Sequence, residues 1–402
     1  MSVICLHNGT VMNGFTAMEG CAVLLEDGRV VDVFSQRRFE QRRFDTEVQI
    51  IDVKGAYIVP GFIDTHIHGF GGFGTDDAST DSVLAMSRLL AQYGVTAFNP
   101  TLYPLEGERM IEAVRNVVAA MGKEKGAQIM GLHLEGPFLS PARLGVQRPE
   151  TLRAVDIPFM ERLWEASCGH IVNMTVAPEL KGMRELALFC IKKGIVLQAG
   201  HTDANYENMV EGMQTGILHT THLFNAMRKM EHRNPNAVGA VLIHPELSYE
   251  IIADGVHVHP HLFKLLRRDK ATERLVLVTD SLKPTEQETG PFFANGEEVV
   301  FHDGLFHRLA DDVIAGSALT MIRGVQNLVA FGFSLEDAVK TATRNPAQIM
   351  RYAMKGAIVP GYDADISVFD KDFTVQTVIV GGIIKKNSFV ISRRTDYAPY
   401  YS

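Results

Sequence analysis

Cysteine is scarce in this sequence, and its four cysteines form no metal-binding or redox motif. Cys5, Cys21, Cys168 and Cys190 lie far apart, without a CxxC pair. Because thiolate zinc sites and redox pairs place two cysteines close together in the sequence, this spacing argues against both. It also argues against a disulfide framework of the kind that small secreted domains use.

The chain also lacks long apolar runs and an excess of basic residues. No run reaches the 18 or more residues of a membrane-spanning helix. With 39 Lys and Arg against 47 Asp and Glu, the formal net charge is -8, which is unfavourable for binding nucleic acid or an anionic membrane. The first residues, MSVICLHNGT, lack the basic start and apolar core of a signal peptide. We therefore expect a cytoplasmic protein that binds neither.

Short β-like segments, by contrast, are plentiful, and those near the two chain ends are alike. Two apolar runs are joined through Asp27 and Gly28, and two more through Gly381 and Gly382. Such residue pairs are typical of hairpin turns. We expect residues 1–57 and 356–402 to form together one small β-sandwich domain, and residues 58–355 to form a different, catalytic domain.

The middle of the chain has eight short apolar runs, most of them separated by helical patterns. The runs are residues 61–68, 95–99, 128–135, 171–179, 195–201, 217–222, 249–255 and 275–280. Amphipathic patterns such as DSVLAMSRLLAQYG and GMRELALFCIKKG end at a glycine, a common stop signal. Eight buried strands that alternate with helices predict an α/β fold, a parallel (β/α)8 barrel.

The ends of these runs carry chemically active side chains. They are His66 with His68, Asn99, Glu135, Glu179, His201, His222, Asp254 and Asp280. In a (β/α)8 barrel the carboxyl ends of the strands meet on one face, where active sites are built. Four histidines and several carboxylates on that face are hard to explain as packing, and they predict a metal-dependent site.

His66 and His68 are two residues apart on a strand, so both side chains can point the same way. The alternatives are a metal-binding pair and ordinary polar residues at a strand end. The glycines that follow, from Gly69 to Gly74, match GxGxxG. A dinucleotide site also needs an acidic residue at the end of the next strand, and that strand ends at Asn99. We therefore expect the glycines to form a loop.

Glu135, His201 and His222 lie at the ends of separate strands. A carboxylate in that position is paired, hydrated or metal-bound, and alone it would suggest a salt bridge. Together with two histidines on the same rim, it predicts a three-ligand metal site with an open position, as in catalytic zinc sites. His133 and His219, inside their strands, are expected to be core or supporting residues.

Asp280 ends the last run and is either a cap for the next loop or a general base.

In HVHPHL, residues 257–262, Pro260 is expected to be the first residue of a helix. His257 then lies near the rim, whereas His259 and His261 lie on the surface. The loop after the sixth run is basic and is either solvated or faces an anionic substrate; its charged residues include Arg228, Lys229, His232 and Arg233.

Several longer strings resemble a known family. PGFIDTHIHG is shared across the amidohydrolase superfamily, and HLEGPF, AGHTDA, THLFNAM, ADGVHV, LVTDS and AGSALTM closely resemble N-acetylglucosamine-6-phosphate deacetylases. The likeness runs from residue 60 to GYDADISVFD at 361–370. It implies an amidohydrolase-type barrel and a hydrolase that removes acetate from N-acetyl-D-glucosamine 6-phosphate in amino-sugar metabolism.

The resemblance also implies roles for individual residues. It implies that Asp280 is the catalytic residue and that Glu135, His201 and His222 bind a metal. It also implies that the sugar phosphate is bound by Asn225, Ala226, His257 and Arg233. Arg233 would reach the site of the neighbouring subunit in a homodimer. Gln147 stands where some members have a histidine that polarises the amide carbonyl. His66 and His68 are replaced in single-metal members, so one or two divalent ions per chain are expected: zinc, iron, manganese or cobalt.

Alternative functions remain at this level. One is a deacetylase that prefers N-acetylgalactosamine 6-phosphate. Another is a hydantoinase or dihydroorotase, but these use a carboxylated lysine at the end of strand four, and IVNMTVAPE has none. A third is an inactive amidohydrolase scaffold, but such relatives lose metal ligands or the aspartate, and this sequence keeps them all.

Overall fold

A computed structural model describes residues 3–396 of the chain. The first part, before the barrel, is mostly strand. Its elements are β1 (Val3–Met12), β2 (Ala17–Glu26), β3 (Arg29–Ser35), α1 (Gln36–Gln41), β4 (Val48–Asp52) and β5 (Tyr57–Pro60). Glu26 pairs with Arg29 across the β2–β3 turn, so the hairpin expected at Asp27 and Gly28 is confirmed.

Strands and helices alternate through the middle of the chain. The elements are β6 (Phe62–Ile67), β7 (Gly69–Phe70), β8 (Phe73–Gly74), α2 (Thr80–Leu90), β9 (Val95–Leu102), α3 (Gly107–Ala120), β10 (Gln128–Ile129), β11 (Leu132–Glu135), α4 (Ile157–Ala166), β12 (Ile171–Val176), α5 (Met183–Lys192), β13 (Val196–Ala199), α6 (Tyr206–Gln214), β14 (His219–Thr220), α7 (Ala237–Ile243), β15 (Ser248–Ile252), α8 (Pro260–Asp269) and β16 (Leu275–Val278). Pro260 opens α8 as expected.

An insertion, three helices and a second set of terminal strands follow. They are β17 (Phe292–Ala294), β18 (Glu297–His302), β19 (Leu305–Arg308), β20 (Ile314–Ser317), α9 (Met321–Ala330), α10 (Leu335–Thr341), α11 (Arg344–Ile349), β21 (Ile366–Phe369), β22 (Val375–Val380), β23 (Ile383–Asn387) and β24 (Ile391–Arg394). The antiparallel sheet β17–β20 was not expected from the sequence. Val380 pairs with Ile383, which confirms the second hairpin.

Eight parallel strands form the barrel, in the order β6, β9, β11, β12, β13, β14, β15 and β16. It closes through backbone hydrogen bonds between the ends of its first and last strands. Asp280 N donates to His66 O at 2.9 Å, and His68 N donates to Ser281 O at 3.0 Å. The expected (β/α)8 barrel is thus confirmed, and its closure places Asp280 beside the His66–His68 pair.

The terminal strands form a separate, mostly antiparallel sheet of nine strands. In it, β21 from the end of the chain pairs with β5 from the beginning, so both termini build one small β domain, as expected. Apolar side chains from both parts share one core, for example Leu6, Ile58 and Ile366. The domain limits at 57/58 and 355/356 stay a prediction.

A buried ammonium group joins this β domain to the barrel. Lys355 Nζ lies 2.5 Å from Asp365 Oδ2 and 3.0 Å from Asp363 Oδ2, both near the start of β21. It also donates to Gln128 Oε1 of β10 at 2.8 Å. The Lys355 and Asp365 side chains are each only 6% exposed, so each charge depends on the other for compensation.

Candidate active site

Four histidines and two carboxylates converge at the carboxyl end of the barrel. They form two groups, and within each group the nearest ligand atoms lie within 4.8 Å of one another. The first group is Glu135, His201 and His222, and the second is His66, His68 and Asp280. All six residues are buried. The structure therefore brings together all the residues that were expected to bind metal, with the expected base among them.

Glu135 is the centre of the arrangement. Its Oε1 lies 3.0 Å from His201 Nε2 and 3.1 Å from His222 Nε2. Its Oε2 lies 3.3 Å from His68 Nε2, and His66 Nε2 is 3.6 Å from Oε1. One carboxylate thus faces both groups, which is the geometry that a bridging ligand requires.

Asp280 faces the second group from the last barrel strand. Its Oδ1 lies 3.5 Å from His66 Nε2 and 3.4 Å from His68 Nε2. Burial raises the pKa of Asp280, but the His66 and His68 imidazoles outweigh burial and hold that pKa below its ordinary value. Asp280 is therefore a carboxylate at neutral pH, as a proton acceptor must be.

The imidazole rings are oriented by bonds from their outer nitrogens. His201 Nδ1 lies 3.0 Å from Leu144 O, and His68 Nδ1 lies 3.2 Å from Thr101 O. An acceptor at Nδ1 makes Nδ1 the protonated nitrogen and leaves the Nε2 lone pair for a metal. The Nε2 atom of His66 is buried and has no hydrogen-bond partner in the described part of the chain. Such an orphaned nitrogen, beside two carboxylates, fits a divalent cation.

The electrostatics of the site also favour a cation. Burial lowers the pKa of His66, but the carboxylates of Asp280 and Glu250 outweigh burial and raise this pKa to about 10. Burial raises the pKa of Glu135, but His201, His222 and His68 hold it well below its ordinary value. The site thus has excess negative charge, which a proton or a metal ion would neutralise.

The backbone at three of these residues is in an uncommon conformation. The φ angles are 46° at His201, 23° at His222 and 48° at Asp280. Left-handed backbone at residues other than glycine costs free energy and clusters at functional sites. Gly200, next to His201, allows a close approach to Thr221, because a Cβ there would lie 2.6 Å from the Thr221 side chain.

A cavity of about 240 Å³ opens in front of the two groups. Its polar wall includes Gln147, and its apolar wall comes from Val146 and the segment Val313–Gly316 at the start of β20. Gln147 Nε2 donates to Glu135 Oε2 at 2.5 Å. Gln147 Oε1 is buried without a partner in the described residues. Gln147 therefore touches a candidate metal ligand as well as the cavity.

Three residues expected to bind the sugar phosphate line the same cavity: Asn225, Ala226 and His257. Asp254 orients His257, since its Oδ2 lies 2.5 Å from His257 Nδ1. Arg233 is exposed in the loop after β14 and does not line this cavity. Its expected role in a neighbouring subunit stays a prediction.

Two residues expected at the rim are not part of the site. Strand β9 continues past Pro100 to Leu102, so Asn99 lies inside the barrel, where it contacts Asn173 and Tyr352. Glu179 follows the end of β12 and binds the next loop, accepting from Thr202 Oγ1 at 2.5 Å. The expectation was wrong at Asn99 because proline at an irregular point of a strand was taken as its end.

Four other histidines lie where they were expected. His133 lies between Thr101 and Thr175, at 3.1 and 2.9 Å from their hydroxyl groups. His219 Nδ1 bonds to Ser248 Oγ at 2.8 Å. His259 and His261 are exposed at the start of α8.

Known proteins with a similar sequence or structure show the family of this chain. The profile of the Amidohydrolase family matches residues 57–384. The chain is 32% identical over 400 residues to the N-acetylglucosamine-6-phosphate deacetylase of Bacillus subtilis (strain 168), covering 98% of this chain and 97% of that protein. This chain belongs to the amidohydrolase family.

Two further relatives bear on the substrate. The structure of N-acetyl-D-glucosamine-6-phosphate deacetylase from Mycobacterium smegmatis, in complex with N-acetyl-D-glucosamine-6-phosphate, superimposes with a TM-score of 0.89 at 28% identity. It covers 96% of this chain and 100% of that one. An N-acetylgalactosamine-6-phosphate deacetylase of Escherichia coli O157:H7 is 29% identical and covers 83% of this chain and 89% of that protein.

The amidohydrolase family generally depends on divalent metal ions, and the two residue groups could hold such ions.

The glycine-rich segment is a small hairpin, β7–β8, rather than a phosphate loop. The amides of Gly69, Gly71 and Gly72 donate to carbonyls of Ser281, Thr285 and Lys283, so they are not free to bind phosphate. No helix in residues 3–396 is both long and apolar enough to cross a membrane.

Three features of the site were missed at the level of sequence. Glu250 lies within β15 and is fully buried, with Oε2 2.9 Å from His66 Nδ1. Tyr103 stacks on the His68 ring, with centroids 3.8 Å apart. The insertion β17–β20 supplies the apolar wall of the cavity. Only Glu250 had a signal, a charged residue in the apolar run YEIIADG.

Proposed function

We propose that this protein is a cytoplasmic, homodimeric deacetylase of amino-sugar metabolism. It hydrolyses the acetamide of N-acetyl-D-glucosamine 6-phosphate to acetate and D-glucosamine 6-phosphate. The observation that carries the proposal is the convergence of Glu135, His201, His222 and Asp280 on one cavity. The names of the relatives, which span nearly the whole chain, support the substrate.

The metal ligands in this proposal are the two groups described above. Glu135, His201 and His222 hold one divalent ion, and His66 and His68 hold a second near Asp280. Such an ion supplies Lewis acidity, which polarises a carbonyl and makes water more acidic. Imidazole and carboxylate ligands do not choose sharply among zinc, iron, manganese and cobalt, so any of the four fits.

Asp280 moves the proton in the reaction. It takes a proton from the attacking water as the new C–O bond forms at the acetamide carbonyl. It then gives that proton to the amide nitrogen as the C–N bond breaks, because an amine cannot leave as an anion. Its position beside His66 and His68, at the open side of Glu135, is compatible with both transfers.

Gln147 orients the acetamide in this proposal. Its Nε2 donates to Glu135, so its unpartnered Oε1 is the atom left to accept a bond from the acetamide N–H. Some members have a histidine at this position that polarises the acetamide carbonyl. The side-chain amide of Gln147 is not acidic enough to do the same.

In this proposal Asn225, Ala226 and His257, which line the cavity, bind the phosphate. A phosphate monoester carries about two negative charges and needs hydrogen-bond donors and cations when it leaves water. Arg233 of the partner subunit supplies the guanidinium group, whose planar fork suits phosphate oxygens. Its exposure on its own subunit supports this arrangement.

The galactosamine epimer is a second candidate substrate, because one relative is named for it. Acetate release should be measured for N-acetylglucosamine and N-acetylgalactosamine, each with and without the 6-phosphate. We expect the highest kcat/KM for N-acetyl-D-glucosamine 6-phosphate and little turnover without phosphate. A clear preference for the galactosamine phosphate would favour the second candidate, and equal rates with and without phosphate would contradict the proposed phosphate site.

A further inference from the structure

A chain of buried polar side chains runs through the barrel interior, which in this fold is usually filled by branched apolar residues. It starts at Tyr352, whose hydroxyl donates to Asn99 Oδ1 at 2.8 Å. Asn99 Nδ2 donates to Asn173 Oδ1 at 3.1 Å, and Asn173 Nδ2 donates to Gln198 Oε1 at 2.6 Å. Gln198 Nε2 donates to Glu250 Oε1 at 2.6 Å. The chain therefore ends on a carboxylate.

The direction of these hydrogen bonds follows from their two ends. An ionised carboxylate only accepts, so Gln198 must present its NH2 group to Glu250. Its oxygen then faces the NH2 group of Asn173, whose oxygen faces the NH2 group of Asn99. The Tyr352 hydroxyl donates at the far end. Hydrogen bonds aligned in one direction polarise each other, so the whole chain stabilises the negative charge of Glu250.

The other oxygen of Glu250 faces the metal groups. Oε2 lies 2.9 Å from His66 Nδ1 and 3.3 Å from the backbone N of His222. An ionised carboxylate at Nδ1 fixes the ring and keeps the proton on Nδ1, so the Nε2 lone pair is free toward Glu135 and Asp280.

We propose that Glu250, held by the chain from Tyr352 through Asn99, Asn173 and Gln198, is the positioning residue for His66. It aims His66 Nε2 toward His68 and Asp280, the residues with which His66 would hold a second divalent ion, and it would set the affinity of this second position. The inference rests on the proposed function only in taking these groups as metal sites. The first position, at Glu135, His201 and His222, has no contact with Glu250 through its imidazole rings.

The test is metal binding by Glu250→Gln. An amide at position 250 offers one acceptor oxygen where Glu250 offers two. Either that oxygen faces Gln198 and His66 Nδ1–H loses its acceptor, or it faces His66 and the amides of Gln198, Asn173 and Asn99 must reverse; in both cases His66 loses its anionic partner. Loss of such a partner typically costs about 10–100-fold in metal affinity. Titration of the metal-free protein with Co²⁺, followed by absorption spectra and by metal analysis, should show this loss for the second ion, while the first ion binds as in the wild type.

Controls separate this role from general damage. Glu246→Gln removes an exposed carboxylate just before the same strand and should leave both ions bound as before. Tyr352→Phe removes only the far hydroxyl and should weaken the second ion in the same direction, by less. If Glu250→Gln does not fold, the second-ion affinity of Tyr352→Phe is the measurement that tests the proposal. Spectra of ¹⁵N-labelled histidine in the metal-loaded proteins should also show His66 protonated at Nδ1 only in the wild type, and no longer fixed in this form in Glu250→Gln.

The outcomes distinguish this inference from the proposed function. If the wild type binds no divalent ion, the proposed function fails. If it binds one ion only, or binds a second ion equally well in the wild type and in folded Glu250→Gln, the positioning role is overturned. A selective loss of the second ion in Glu250→Gln, with a smaller loss in Tyr352→Phe, supports it.

Discussion

The substitution Asp280→Asn removes the proposed proton carrier with little change of shape. The backbone at Asp280 has a φ of 48°, a left-handed conformation that asparagine tolerates better than most residues. Alanine would be a poorer choice, because strain at this φ would be mixed with the loss of chemistry. The backbone bonds of residue 280, to His66 O and from Ser317 N, are kept in Asp280→Asn.

The expected effect is a loss of turnover without loss of the fold. Asn cannot take and return a proton, and general acid–base catalysis typically contributes about 10²–10⁴ in rate. That factor corresponds to about 3–5 kcal/mol in the barrier. Because Asn225, Ala226 and His257, the residues proposed to bind the phosphate, are unchanged in this variant, kcat should fall by this factor and KM should change little.

The assay is steady-state acetate release by samples of known metal content, with thermal unfolding measured alongside. Asp303→Asn is a matched control, since Asp303 has a φ of 52° and an 89% exposed side chain that does not line the cavity. It should keep normal turnover. Near-normal kcat in folded, metal-loaded Asp280→Asn would refute the assignment of Asp280 as the base.

Three further predictions concern the second metal, the partner subunit and stability. With metal in excess, elemental analysis should find more than one ion per chain in the wild type and one ion per chain in the double variant His66→Asn/His68→Asn. One ion per chain in both proteins would mean that His66 and His68 do not bind metal. Arg233→Ala should raise KM mainly for phosphorylated substrate, and mixing it with Asp280→Asn chains should restore part of the activity, because one site of each mixed dimer is intact. If subunit exchange is verified and no activity returns, Arg233 does not act across the interface. Lys355→Met leaves a buried carboxylate uncompensated and should lower the free energy of unfolding by about 3–5 kcal/mol in denaturant titrations, whereas an unchanged midpoint would contradict the buried pair.

The approximate ends of most barrel strands, though not of the one at Asn99, could be predicted from the sequence because buried parallel strands are short and alternate with amphipathic helices. Once eight such runs were placed in one barrel, geometry alone brought Glu135, His201, His222 and Asp280 together. Their contacts needed no knowledge of loop structure. The same regularity placed His133 and His219 inside their strands, where the structure has them.

Features that depend on side-chain contacts between distant strands could not be predicted. Asn99 and Glu250 lie inside strands and bind other polar residues rather than solvent or metal, and no local pattern tells which buried polar residue has which partner. The insertion β17–β20 has weak alternation, since Val299 and Phe306 are buried while Val300 and Phe301 are exposed. Its contribution to the cavity wall appears only in three dimensions.

The central claim is that the site at Glu135, His201 and His222 hydrolyses an amide with the help of a divalent ion. The most direct measurement is simultaneous quantification of acetate and free primary amine from N-acetyl-D-glucosamine 6-phosphate, before and after removal of metal. We predict equal amounts of both products from the metal-loaded protein, loss of both after chelation, and recovery when a divalent ion is returned. Product formation that is unchanged after verified removal of all metal would contradict the account.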